Sequence, residues 1–261
     1  MEVKSLVITG YGINCEEEVA AAYRLAGAIP EIVHLNDIFS GKVDIHSFHI
    51  INFPGGFSFG DDIASGKVLA NKIKFQKLPD NSTLLDQLKK VLAEKKYILG
   101  ICNGFQVLTR LGLLPNISGK FEQEVSLAHN IQGKFIDEWV TLKVPNAATP
   151  FIADMDTVEL PIRHGEGRLI VLDEKIKHAV IDEKLNCLIY ANNPNGSMLD
   201  CAGLTDRTGQ VFGLMPHPEA FLSVYNHPDW GRRKKQGTIN ENGDGLKIFK
   251  NIVEAIPKNP L

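Results

Sequence analysis

Through the first half of the chain, short apolar, β-branched runs alternate with stretches whose apolar residues recur every three or four positions. That alternation is the pattern of strands returned by helices across a parallel sheet. It predicts strands over Leu6 to Thr9, Glu31 to Leu35, Phe48 to Phe53 and Tyr97 to Ile101, with helices over Glu16 to Leu25, Ile63 to Phe75 and Leu84 to Glu94. The first helix opens on three glutamates and is followed by Gly27, as the helix dipole and C-cap chemistry favour. The second half reads differently. "WVTLKV", "VELPI", "CLIYA", "CAGLT" and "QVFGLMP" are short strand segments, and "TDRTGQ" between the last two has the composition of a hairpin turn, so an antiparallel extension is expected on the parallel core. His227 to Gly245, rich in glycine, asparagine and charge, reads as a surface loop before a final amphipathic helix over Leu246 to Ile256. With no repeat, low-complexity tract or linker, a single domain over residues 1–261 is expected, residues 227–261 being its less typical C-terminal loop and helix.

Composition narrows the function classes. Of 261 residues, 44% are hydrophobic and 23% charged, enough for a sizeable core. The 28 basic and 31 acidic residues leave a net charge of −3, which recruits no polyanion, so a nucleic-acid partner is not expected. No apolar run approaches the roughly 18 residues of a membrane span, and "MEVKSLVITG" is too briefly apolar for a signal peptide. A cytoplasmic protein without membrane contact is the expectation. Cys15, Cys102, Cys187 and Cys201 are scattered, with no C-x-x-C spacing, so reduced thiols are expected, one of them reactive, and no metal site.

Three segments carry chemistry. In "YILGICNGFQVLTRLGLL" a buried-type strand ends at Ile101 and a helical pattern begins almost at once, with Cys102 on the joint between Gly100 and Gly104. This is the cysteine form of the nucleophile elbow: the sharp turn is strained, side chains two positions either side would collide, and the helix N-terminus favours the thiolate. A nucleophile needs a base. In "LMPHPEAF" Pro218 disfavours helical backbone at His217, and in an extended segment His217 and Glu219 face the same side, so the carboxylate can orient the imidazole for Cys102. Acyl chemistry also needs oxyanion donors. "IINFPGGFSFGDD" places Gly55 and Gly56 directly after a strand, where their N–H groups can act with that of Asn103, the residue after the nucleophile. A phosphate loop is the competing reading, but Asp61 follows Gly60 where Lys-Ser/Thr is required, and no ATP motif is found.

Together "FPGGFSFGD", "GICNGFQVLTRLGLLP", "PIRHGEGR", "NNPNGS" and "GLMPHPE" resemble the class I glutamine amidotransferases, and among them the glutaminase-subunit family of phosphoribosylformylglycinamidine synthase. The resemblance runs from the first strand to about Phe221, and "CNGFQ", "HGEGR" and "NPNGS" narrow it to that enzyme. It implies the flavodoxin-like fold of class I amidotransferases and a triad of Cys102, His217 and Glu219. It also implies an oxyanion hole around Gly56 and Asn103, and Gln106 near bound L-glutamine. It further implies ammonia supply to a large synthetase subunit, often with a small third subunit, for making formylglycinamidine ribonucleotide in purine biosynthesis. ATP and Mg would be used by that partner, with no cofactor in this chain. The sequence departs from the family pattern at Ile13, at Glu138 before Trp139, and in a longer stretch from Asn116 to Trp139. The alternatives are the glutaminase of another amidotransferase, against which "CNGFQ" and "HGEGR" weigh, a non-catalytic metabolite-binding module, against which the intact triad weighs, and a cysteine peptidase, disfavoured because a small cleft rather than a peptide groove is expected.

Overall fold

The computed structural model describes residues 2–146, 148–171, 173–237 and 241–256. Residues 238–240 of the expected loop, and 257–261 of the terminal segment, lie outside the described residues. The parallel core is formed by β1 (Lys4–Thr9), β2 (Ile29–His34), β3 (Ile50–Phe53) and β4 (Tyr97–Ile101), each pairing parallel with its neighbour in the order β2-β1-β3-β4. The later strands are β5 (Val125–Ala128), β6 (Ile136–Lys143), β7 (Thr157–His164), β8 (Arg168–Val171), β9 (Asn186–Tyr190), β10 (Cys201–Thr205) and β11 (Val211–Leu214). Strand β11 joins β4 in parallel, and β10, β9, β6 and β7 extend the same nine-stranded sheet antiparallel, while β5 and β8 pair separately. The expected α/β class, parallel core and antiparallel extension are therefore all present, with the β10–β11 hairpin where "TDRTGQ" placed it.

Central strands β3 and β11 are buried at every position, because helices cover both faces, and this is why their sequences read as continuous apolar runs. The helices are α1 (Glu16–Leu25), α2 (Leu35–Phe39), α3 (Lys67–Phe75), α4 (Leu84–Ala93), α5 (Asn103–Leu111), α6 (Glu174–Asp182), α7 (Trp230–Lys235) and α8 (Asp244–Ala255). Helix α1 packs on α8, and α3 packs on both α4 and α5. Since the chain steps from β1 to β2 on one side and then to β3 on the other, a crevice opens at the carboxyl ends of these strands. The segments after β1, β3, β4 and β11 all emerge along this edge.

Two local expectations are corrected, and one further helix had no pattern to predict it. The stretch from His227 to Gly245 is not all loop: α7 lies within it, its basic residues Arg232 to Lys235 in the last turn, where positive charge complements the helix dipole. Six residues without apolar periodicity give no helical pattern to read. Helix α6, capped by Asp173, was likewise silent because only Val180 on it is buried. Helix α3 begins at Lys67 rather than Ile63, since Gly66 before it is left-handed at φ +70° and Ile63 stands in solvent.

Candidate active site

Cys102 sits between β4 and α5 with φ +49° and ψ −104°, a backbone conformation that costs a non-glycine residue about 1–3 kcal/mol. Packing holds it there. Its amide donates to Leu214 O of β11 at 2.8 Å, and α5 is buried along nearly its whole length. The flanking glycines are required by contact: a Cβ on Gly104 would lie 1.9 Å from the Phe53 carbonyl oxygen, and one on Gly100 would lie 2.8 Å from the Gly104 carbonyl carbon. The elbow thus brings β3, β4 and α5 closer than side chains allow. The Cys102 thiol donates to the Arg163 carbonyl of β7 at 3.7 Å.

The chain after β11 carries the imidazole. His217 donates its backbone N–H to Pro161 O at 2.8 Å, and its Nδ1 is 2.6 Å from Glu219 Oε1, both side chains being buried. Contact between the two residues agrees with the sequence expectation, but its route does not. Pro218–Ala220 form one 3-10 turn, and this turn, rather than an extended segment, brings Glu219 back to the ring. Burial disfavours charge on His217, yet the Glu219 carboxylate, and then the sulfurs of Cys102 and Cys15, outweigh it and raise the imidazole pKa well above its usual value. Such a ring holds a proton at neutral pH, which suits an acid that must protonate a leaving amine.

The "PGG" turn after β3 is pinned by the β1–α1 loop. Asn14 N donates to Gly55 O at 3.2 Å and Phe57 N to Gly12 O at 2.8 Å, around a bridge between Ile13 and Gly56. Gly56 has φ +142°, and its own Cβ would meet Gly12 O at 2.5 Å, so only glycine fits. A Cβ on Gly55 would lie 2.8 Å from His217 Cε1, which makes Gly55 the space the imidazole occupies. Among the described residues no protein acceptor takes the N–H of Gly56 or of Asn103, the latter being the first residue of α5, where a helix has no internal acceptor.

Gln106 is buried and already engaged. Its Oε1 accepts from Asn103 Nδ2 at 2.8 Å and its Nε2 donates to Glu166 O, so it ties α5 to the "HGEGR" loop. Asn103 Nδ2 also donates to Asp61 Oδ1 at 3.2 Å, and Asn103 Oδ1 accepts from Ser58 N at 3.2 Å, fixing the residue beside Cys102 from two sides. Asp61 further accepts from Ser65 Oγ and Gly66 N. The two motifs left unexplained by sequence prove to be supports: Asn193 Oδ1 of "NPNGS" accepts from the N–H groups of Asn195, Gly196 and Ser197, and Ser197 Oγ accepts from Leu169 N beyond "HGEGR".

His164, at the end of β7, was not singled out from sequence. Its Nδ1 is 3.1 Å from Asn130 Oδ1, and since Asn130 Nδ2 donates to Lys134 O and His164 O, the asparagine oxygen accepts and the ring carries its proton on Nδ1. Burial, helped by repulsion from His217, lowers its pKa to about 4. The unfolded chain, with a value of 6.5, takes up this proton first. Stability is therefore lost as pH falls from the unfolded value to the folded one, by up to about 3 kcal/mol. Replacing His164 with Gln should remove some 2–3 kcal/mol of the fall between neutral pH and about pH 4.5, as measured by urea unfolding. An equal fall in both proteins would mean that the folded ring is charged.

Cys15, in sequence only one of four scattered thiols, belongs to the same neighbourhood. It stands at the end of the β1–α1 loop beside the imidazole: a Cβ on Gly55 would lie 3.2 Å from its Sγ. Its distance from Cys102 and His217 in sequence gave no spacing motif to find.

Cys102 on its strained turn, the buried His217–Glu219 pair, and the N–H groups of Gly56 and Asn103, which find no acceptor among the described residues, are the parts that acyl chemistry at a cysteine requires. The chain belongs to the family of CobB/CobQ-like glutamine amidotransferase domains, whose model matches residues 2–255. Within it the chain is similar to the phosphoribosylformylglycinamidine synthase subunits PurQ: it is 41% identical to that of Methanococcus maripaludis, over 98% of both chains. Among solved structures it resembles a chain of PurLQS from Thermotoga maritima, at 31% identity and a TM-score of 0.73, covering 97% of this chain and 99% of that one. A glutamine amidotransferase from Thermotoga maritima, 13% identical with a TM-score of 0.53 over 97% of this chain and 91% of that one, shares the fold.

Proposed function

We propose that this chain is the glutaminase subunit of a phosphoribosylformylglycinamidine synthase and that Cys102, His217 and Glu219 are its triad. The observation that carries the chemistry is the buried 2.6 Å His217–Glu219 pair beside a cysteine at φ +49°. The Cys102 thiolate attacks the side-chain carboxamide carbon of glutamine, and the N–H groups of Gly56 and Asn103, aided by the Gly55 turn, stabilise the oxyanion. His217, held by Glu219, gives its proton to the departing nitrogen, and ammonia leaves a glutamyl thioester. The same ring then takes a proton from water, which attacks the thioester carbon and releases glutamate and the thiol. Gln106 positions Asn103 and the loop over the substrate.

Free ammonia in water becomes ammonium, which has no lone pair for attack, so the product is useful only when passed directly to a synthetase. The subunit PurL, with PurS as a small third subunit, fits that role, and would use ATP and magnesium to make formylglycinamidine ribonucleotide for purine biosynthesis. Among the described residues no helix is long and apolar enough to cross a membrane. The cytoplasm, where glutamine and the nucleotide substrate are made, is the location that suits this role. One continuous nine-stranded sheet supports treating the chain as one domain.

A glutamine-mimicking chloroketone should alkylate Cys102 alone. Burial pushes the thiols of Cys15, Cys187 and Cys201 up and keeps them protonated at neutral pH, while Cys102 has the helix N-terminus and His217 beside it. Peptide mapping after labelling checks this. Modification chiefly at Cys15, the competitor beside His217, would move the nucleophile to another loop.

A further inference from the structure

The loop after β1 adds a second thiol to the cluster formed by the segment after β11. Cys15, His217 and Glu219 each offer one ligand atom, a sulfur, a ring nitrogen and a carboxylate oxygen, and these atoms all lie within 4.8 Å of one another. The placement is built into the fold, because the bridge between Ile13 and Gly56 pins the loop, and Gly55 leaves room for both the Cys15 sulfur and the imidazole. Two polar atoms of the same cluster, His217 Nε2 and Glu219 Oε2, are buried and find no hydrogen-bond partner among the described residues, on residues only 3% exposed. Such atoms carry a desolvation cost of roughly 1–3 kcal/mol each and are normally satisfied by something. Cys15 is partly open to solvent, which gives an approach to the cluster.

We propose that Cys15, His217 and Glu219 form an inhibitory site for a thiophilic divalent cation of the zinc type. Sulfur, imidazole and carboxylate are the donors that zinc takes, and three protein ligands leave a fourth position for water or the Cys102 thiolate. One thiolate and one carboxylate cancel the charge of a divalent ion, so the complex is neutral where it is buried. Magnesium prefers oxygen donors with most of its water retained, and the mixed set discriminates against it. On binding, the Cys15 proton and one proton of the His217 imidazolium pass to solvent, and the hydrogen bond between the ring and Glu219 gives way to bonds from both to the metal. An imidazole so engaged moves no proton, and glutamine hydrolysis stops. The inhibition rests on His217 acting as the base, whereas the metal binding does not.

Two measurements test this. The full-length Cys102→Ala protein, in which Cys15 is the thiol left in the cluster, is titrated with cobalt(II). A sulfur-to-cobalt charge-transfer absorption is expected, and it should vanish in the Cys102→Ala/Cys15→Ser protein. Separately, glutamate release by the complex with the synthetase is titrated with zinc in excess magnesium, each protein being compared with its own zinc-free rate. Cys15→Ser should raise the half-inhibiting zinc concentration about tenfold or more, as loss of one ligand does. No absorption in Cys102→Ala, or equal zinc sensitivity with and without Cys15, would overturn the site. Absorption with no inhibition of the unaltered complex would uphold the site and overturn the role of His217 as base, which separates the two readings.

Discussion

Replacing Cys102 with Ala is expected to abolish product formation from glutamine, by a factor of about 10⁴ or more, while leaving product formation from ammonium salts within a few-fold of the unaltered complex. The first number follows from removing a nucleophile that works as a unit with its base, where loss of either member costs nearly the whole effect. The second follows from the proposed division of labour, in which this chain makes ammonia and a synthetase partner consumes it. Alanine removes only the sulfur, and the Cys102 amide keeps its bond to Leu214 O, so the turn and the surface around it should persist. Ammonia-dependent activity should climb with pH, because free ammonia and not ammonium is the nucleophile. The assay follows formylglycinamidine ribonucleotide with ATP present and either nitrogen source. Loss of both activities in an assembled complex would mean that Cys102 serves the synthetase reaction itself. The same assay with Glu219→Gln should show a smaller loss than with His217→Ala, since the carboxylate orients the ring and does not react.

Much of this site was legible in the sequence because its demands are local. A cysteine between glycines after a buried run declares an elbow, since the reason for the glycines lies within two residues of it. His217 and Glu219 sit two apart, and Pro218 between them restricts their backbone. Two kinds of information were out of reach. Contacts made by the sheet order leave no local trace: Cys15 reaches His217 only because the loop after β1 lies against the turn after β3. The roles of Gln106 and the "HGEGR" loop are equally non-local, for the Gln106 side chain is spent on Asn103 and Glu166. Secondary structure was missed where little is buried, as in α6 and α7, because hydrophobic periodicity reports burial rather than helicity. The turn at Pro218–Ala220 adds a warning, since the right contact there was inferred from a backbone shape the chain does not adopt.

The elbow glycines allow the steric argument to be tested apart from the chemistry. A Cβ at Gly104 would lie 1.9 Å from the Phe53 carbonyl oxygen and 2.7 Å from its carbon, and Phe53 is held in place by pairing with Gly100 of β4, at the end of a strand paired on both sides up to Asn52. No side-chain rotation relieves a clash with backbone, so the first turn of α5 must lift from the sheet. Gly104→Ala is therefore expected to lower stability by about 3 kcal/mol or more, beyond the usual range for a single methyl addition. Gly231 in α7 supplies the contrast, since its added Cβ meets nothing within 4 Å, and there Ala should be neutral or stabilise by up to about 1 kcal/mol through helix propensity. Urea unfolding of the two variants checks the stability difference. Chloroketone labelling checks the consequence for the site: in folded Gly104→Ala protein, Cys102 should react more slowly, as the turn that holds it at φ +49° relaxes. A Gly104→Ala protein as stable and as reactive as the original would mean that the close approach of α5 to β3 is not what holds Cys102 in place.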